Sequence, residues 1–280
     1  MRQQRFGLLQ LMCFGIAVCG LIASPSTLAA NTADIDCGLQ PIRLAQYEHG
    51  YFYFTNEANQ VQGIDKDLVD ELAKRSGCKF DIQVMVRARI WADLASGEVD
   101  MSTSGIQTPE RDRFAWFAHY LRMKNYTLVR RNASHQTNHA RDFLAQPNLI
   151  FGTVRAYKHG DAQERWLHQL RQAGRVQESA DSDSIFKKIK EKRVDAMFAQ
   201  APVYRKKILE LGLQNEVVIQ DWAPQDSGVQ HGLILAKSRF SEKQAQQWRN
   251  LIDSMRNDGS LKRIFERYLP PNEAAKLLGH

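Results

Sequence analysis

Short apolar runs and helical stretches alternate along most of this chain. Ile42–Gln46, Phe80–Val86, Val99–Ser102 and Tyr126–Arg130 are apolar or alternating runs at strand length. Between them, Gly63–Ser76 carries Leu68, Leu72 and Ala73 on one helical face and stops at Gly77, and Arg89–Ser96 is a second helix closed by Gly97. A polar, aperiodic segment, Arg131–His139, follows. The alternation then resumes with strands Leu149–Val154, Arg175–Gln177, Val194–Phe198 and Glu216–Gln220 and helices Gly160–Ala173, Ser182–Lys192 and Pro202–Leu211. A long apolar strand, His231–Lys237, leads into helix Ser241–Asn257, a stop at Asp258-Gly259, and helix Leu261–Tyr268. Strand–helix alternation of this kind predicts α/β lobes with mainly parallel sheets. The segments Gly97-Glu98-Val99-Asp100-Met101 and Lys192-Arg193-Val194-Asp195-Ala196 are alike: helix end, turn, Val-Asp, buried strand. This internal likeness predicts two similar lobes.

The first residues follow another pattern. Arg2 and Arg5 precede an apolar run, Phe6–Ala23, and a small-residue segment, Ser24–Ala30. That order reads as a secretory signal peptide over residues 1–30, so the expected compartment is the periplasm. The remainder, about 250 residues, suits two lobes. Without Arg2 and Arg5 it holds 36 basic and 31 acidic residues, a net charge of +5. This mild excess favours anionic solutes. It does not indicate nucleic acid, because the basic residues are scattered and no reading motif is present. Cys13 and Cys19 lie in the signal. Cys37 and Cys78 remain, each just ahead of an expected strand, and an oxidising compartment favours a disulfide between them.

The region Gln62–Arg113 carries the most specific signal. Gly63, Ile64, Asp65, Asp67 and Leu68 are followed by Leu94, Gly97, Val99 and Asp100, and then by Thr108, Pro109, Glu110 and Arg111. In this order and spacing the residues resemble family 3 of the bacterial extracellular solute-binding proteins, which serve polar amino-acid uptake. The resemblance covers about residues 40–270. It implies a type II periplasmic-binding-protein fold with two lobes and two hinge crossings, near residues 123–131 and 225–232. Lobe 1 would comprise residues 38–125 and 232–280, and lobe 2 residues 126–231. It also implies a small-molecule ligand, membrane permease subunits as partners, a monomeric receptor and no cofactor.

The resemblance places Arg111 where the family holds a ligand carboxylate, and a guanidinium fork matches that group bidentately. It places aromatic residues after the first strand, where Tyr47 and Tyr51 are the choices for the cleft. Thr108 and Gly105 belong to the segment before Arg111. Arg155 and Tyr157 follow the strand Leu149–Val154, at the approach to a helix N-terminus that favours an anionic oxygen.

Three departures bear on the ligand. The family's second-lobe V-D-A-x-x-x-D ends here in Gln200, which is neutral and cannot answer an ammonium by charge. The segment Ser104–Thr108 is altered relative to the family's G-x-T-x-T-P-E-R. The loop after Val86 carries Arg87 where an aromatic residue is common. Arg87 is either a second cation near Arg111 or a solvated arginine at a helix start. His135 and His139 have H-x3-H spacing, but their segment is aperiodic and offers no third ligand, so no metal site is expected. Two other readings stand beside the transport receptor. One is a periplasmic dehydratase for a prephenate-like dicarboxylate, with Arg87, Arg111 and Arg155 as cations and Glu164 or Asp161 as acid. The other is a stand-alone sensory module.

Overall fold

The structure is a computed structural model that describes residues 35–279. The expected signal peptide, residues 1–30, lies outside the described residues. In chain order the first part comprises β1 (Ile42–Gln46), a small hairpin of β2 (Phe54–Thr55) and β3 (Val61–Gln62), α1 (Ile64–Ser76), β4 (Phe80–Val84), α2 (Arg87–Ser96), β5 (Met101–Ile106) and β6 (Ala115–Met123). The middle part comprises β7 (Tyr126–Arg130), α3 (Arg131–Ser134), α4 (Ala140–Ala145), β8 (Phe151–Val154), α5 (Asp161–Gln172), β9 (Val176–Ser179), α6 (Ser182–Lys190), β10 (Ala196–Ala199), α7 (Ala201–Leu211) and β11 (Val217–Gln220). The chain ends with β12 (Val229–Ala236), α8 (Glu242–Asn257), α9 (Ser260–Glu266) and α10 (Pro271–Leu278).

Two five-stranded sheets organise these elements, in the orders β4-β1-β5-β12-β6 and β11-β7-β10-β8-β9. In each, two pairings are parallel and two antiparallel. The expectation of mainly parallel sheets is therefore corrected. The reversed strands are β7 and β12, each the first strand after a passage between sheets, Met123–Tyr126 and Gln220–Val229. A strand that enters from the neighbouring sheet runs against the βαβ direction.

Local chemistry explains the boundaries. Helix α1 buries Ile64, Leu68, Val69 and Leu72, and Gly77 ends it in the left-handed region, at φ 71°, where glycine carries no Cβ penalty. A capping box between Ser241 and Gln244 starts α8. Its buried Trp248 packs beside Phe80 and Phe240. A separate cluster of Phe143, Phe151, Trp166 and Phe198 fills the second sheet's side.

The repeated Val-Asp pair has a structural role. Asp100 accepts from the Arg43 backbone at 2.9 Å and from its guanidinium at 2.6 Å. Asp195 accepts from the Ile150 backbone at 2.8 Å and from the Arg130 guanidinium at 2.5 Å. Each aspartate ties the start of a buried strand to its neighbours in one sheet. Cys37 and Cys78 form a disulfide, with Cα atoms 5.3 Å apart. They precede β1 and β4, which pair in parallel, so both arrive at the same sheet end. Among the described residues no helix is long and apolar enough to cross a membrane.

Candidate ligand-binding cleft

The carboxyl ends of β1 and β5 face those of β8 and β10, and residues just beyond them meet. The ring of His49, after β1, lies 5.9 Å from that of Tyr157, after β8. Tyr51 donates its backbone N–H to the Pro202 carbonyl at 3.1 Å. Arg111 reaches across as well: Nη1 donates to the Ile106 carbonyl at 2.7 Å and Nη2 to the Ala156 carbonyl at 3.0 Å. Ala156 has φ 59°, an uncommon conformation for a residue with a Cβ.

Two guanidiniums are buried here. Arg87 is only 4% exposed. It lies between the rings of Tyr47 and Tyr157, 4.5 and 4.9 Å from their centroids, and its Nη2 donates to the Ser104 carbonyl at 3.2 Å. Its Nε has no partner. Arg111 is 5% exposed and sits over Trp91, 3.5 Å from the ring centroid. Burial first, then the nearby Arg87 charge, lowers its pKa to about 9. Neither arginine forms an ion pair with a carboxylate among the described residues. Buried cations without a direct ion pair are costly. Asp65 acts on Arg87 and Glu110 on Arg111 only through space, and Glu48, Asp181 and Asp183 also line the cavity beside Arg87.

A polar network supports the two guanidiniums from behind. Asp65 is fully buried and accepts from Thr103 at 2.9 Å, Ser104 at 2.7 Å and Tyr120 at 2.7 Å. Burial raises its pKa to about 6, against the lowering effect of these hydrogen bonds and of Arg87. Ser104 holds φ 52° within β5. Its carbonyl turns to Arg87 while its hydroxyl turns to Asp65.

On the opposite side, Gln200 caps α7 and is 3% exposed. Asn125 Nδ2 donates to the His159 carbonyl at 2.8 Å. That leaves Asn125 Oδ1 as an acceptor, and Gln200 Nε2 donates to it. The Tyr47 hydroxyl makes no hydrogen bond. A cavity of about 460 Å³ is lined by Tyr47, His49, Arg87, Val154, Tyr157 and Ser182, among others.

The sequence-predicted residues thus separate. Arg87, Tyr47 and Tyr157 line one cavity, Gln200 borders a small void next to Tyr157, and Arg111 is joined to them through Trp91 and Ala156. Arg87 is buried and ring-stacked, which decides against the solvated alternative. Thr108 positions the turn before Arg111: its Oγ1 accepts from the Arg111 backbone at 3.3 Å. Gly105 lies under Ile234, where an added Cβ would come within 2.3 Å of Cγ1. Tyr51 packs edge-on against Phe54, away from the arginines, and the Arg155 side chain is exposed. Glu164 accepts from the His159 backbone at 2.9 Å, and Asp161 opens α5. His135 ends α3 and His139 starts α4. Sequence reasoning missed Trp91, His49 and Asn125. Trp91 precedes Leu94 at core spacing and carried no separate signal.

The model of the bacterial extracellular solute-binding proteins, family 3, matches residues 46–271. The chain belongs to this family. As a family 3 solute-binding protein it has the two-lobed type II periplasmic-binding-protein fold, shared with solved relatives. One is an ancestral arginine-binding protein bound to arginine, 20% identical, covering 82% of this chain and 98% of that one with a TM-score of 0.69. A second is the arginine-, lysine-, histidine-binding protein ArtJ from Geobacillus stearothermophilus, 18% identical, covering 82% and 95% with a TM-score of 0.68. A third is an ancestral amino acid-binding protein, a precursor of cyclohexadienyl dehydratase, 21% identical, covering 82% and 96% with a TM-score of 0.67. None of the curated proteins matches this family 3 chain in sequence.

Proposed function

We propose that this solute-binding protein is a periplasmic receptor that captures a small carboxylate-bearing solute between its lobes and delivers it to an ABC-type membrane transporter. One observation carries the reading of the ligand: Arg87 and Arg111 are both buried at the cleft without a carboxylate partner among the described residues. An anionic ligand would supply the direct ion-pair partner that both lack. Gln200 supports the further reading that an α-ammonium is not required, because it is neutral and held as a donor to Asn125. A zwitterionic amino acid would leave its ammonium without a charged partner at that position. The lobes would close as a hinge around the ligand, since the Arg111–Ala156 contact exists only when the two sides meet.

A thermal-shift screen of organic acids and amino acids tests this. A ligand at 100 times its dissociation constant adds about 2.7 kcal/mol of stability. Stabilisation by small anionic acids, and not by neutral amino acids, is the expected outcome. Tight binding of an ordinary amino acid would overturn the inference from Gln200 and leave the receptor reading standing. The dehydratase alternative is tested with prephenate, by product formation. Glu164 gives it little support, because that carboxylate is engaged at the start of α5.

A further inference from the structure

A second cavity lies at the passages between the two sheets. Its volume is about 270 Å³, enough for a small organic acid. Its walls come from both sides of the molecule. Arg122 belongs to β6 in the first sheet, and Lys124 and Tyr126 lie where the chain crosses to the second. Arg205 comes from α7, and Glu273 and Lys276 from α10. Gln200 contributes to this wall and also to the small void beside Tyr157, so it borders both spaces.

The charges are unbalanced. Lys124 pairs with Asp221 at 2.7 Å and Arg205 with Glu273 Oε1 at 2.6 Å. Arg122 donates to the Gly228 carbonyl at 2.7 Å, and neither it nor Lys276 forms an ion pair among the described residues. Two cations are therefore uncompensated. The other Glu273 oxygen, Oε2, is buried and has no hydrogen-bond partner, and a buried carboxylate oxygen left in that state is costly. The cavity thus offers positive charge for an anionic group and an acceptor awaiting an N–H or O–H.

We propose that this cavity is a second ligand site, for a small carboxylate that also carries a hydrogen-bond donor, such as a hydroxy acid. The carboxylate lies against Arg122 and Lys276, and the donor meets Glu273 Oε2. Both sheets contribute walls, so the site is complete only when they meet as they do here. The site does not depend on the identity of the cleft ligand.

Calorimetry with malate, which has the hydroxyl, and succinate, which lacks it, provides the test. In an Arg111→Ala variant, malate still binds at one site, at least tenfold tighter than succinate. Adding Arg122→Gln and Lys276→Gln removes that binding by tenfold or more. Should the combined variant fail to fold, Lys276→Glu alone, at an exposed position, weakens the same event by charge reversal. If Arg111→Ala abolishes all malate binding, or the lysine variants leave it unchanged, the second site does not exist. Equal affinity for malate and succinate at the remaining site overturns the role of Glu273.

Discussion

The Arg111 guanidinium lies over the Trp91 ring, 3.5 Å from its centroid. The ring takes up one face of the cation, and the Ile106 and Ala156 carbonyls take two of its N–H groups. Arg111 is thereby fixed in position and still charged, with fork donors left for an anion. Arg111→Ala is expected to weaken the cleft ligand by about 2–5 kcal/mol, as for one half of a buried charge pair. Trp91→Ala should cost less, about 0.5–2 kcal/mol, the range of a cation–π contact. Calorimetry on both variants checks the order, and an equal or reversed ranking would remove Arg111 from the ligand.

Gln200→Asp introduces a charge next to Asn125 and Tyr157. Affinity for an anionic ligand should fall by tenfold or more, while affinity for α-amino acids should rise. Titration of both ligand classes into wild type and variant decides the matter. Unchanged selectivity would mean that Gln200 does not face the ligand.

The Cys37–Cys78 bridge spans 41 residues. Cross-linking a loop of that length constrains the unfolded chain by about 4 kcal/mol in the chain-entropy model. A double Cys→Ala variant should lose stability of that order in denaturant melts. Full retention would mean that the unfolded chain keeps the two ends together by other means.

Gly105→Ala should destabilise through packing. Its Cβ would press on Ile234 Cγ1 and Cδ1, at 2.3 and 2.5 Å, and overpacking of a buried site costs about 1–3 kcal/mol. Adding Ile234→Val, which removes Cδ1, should return part of the loss. A thermal melt in which the second substitution deepens the loss would contradict this account.

Acid should destabilise the protein through its buried histidines. Burial holds His49 well below 6.5 and lowers His159 and His231 to about 3. Each is neutral when folded, so protonation favours the unfolded chain, and stability is lost as pH falls below about 6.5. Asp65 acts the other way. Its folded pKa of about 6 exceeds its ordinary 3.8, so its contribution grows as pH falls between those values. Burial lowers His119 as well, so four groups oppose one, and Tm should decline from pH 6.5 to 4. His231→Asn should flatten that slope and Asp65→Asn steepen it. A Tm independent of pH in this window would refute the assignment.

The fold was legible where one face of an element is apolar. Leu68 and Leu72 at helical spacing, closed by Gly77, placed α1 to within a residue. The strand β6 was not anticipated. Trp116, His119 and Arg122 interrupt its apolar residues, and both α8 and α10 pack on it, so it shows neither clean alternation nor a continuous run. The site was legible only in part. Arg87 in sequence looks like any arginine at a helix start, because what buries it, Tyr47 and Tyr157, comes from two different sheets. Tyr51 follows the same aromatic-rich segment as Tyr47 yet turns to Phe54. Local pattern cannot distinguish two tyrosines that the tertiary fold sends in different directions.

The placement of β12 also sets an order in which the two sheets can be completed along the chain. The second sheet uses one continuous stretch, from β7 to β11, and its strands are complete once that stretch has been made. The first sheet begins earlier in the chain and finishes later, because β12 lies between β5 and β6. Until Val229–Ala236 is available, β6 has no partner in its own sheet. The sheet that begins first along the chain is therefore the last to close.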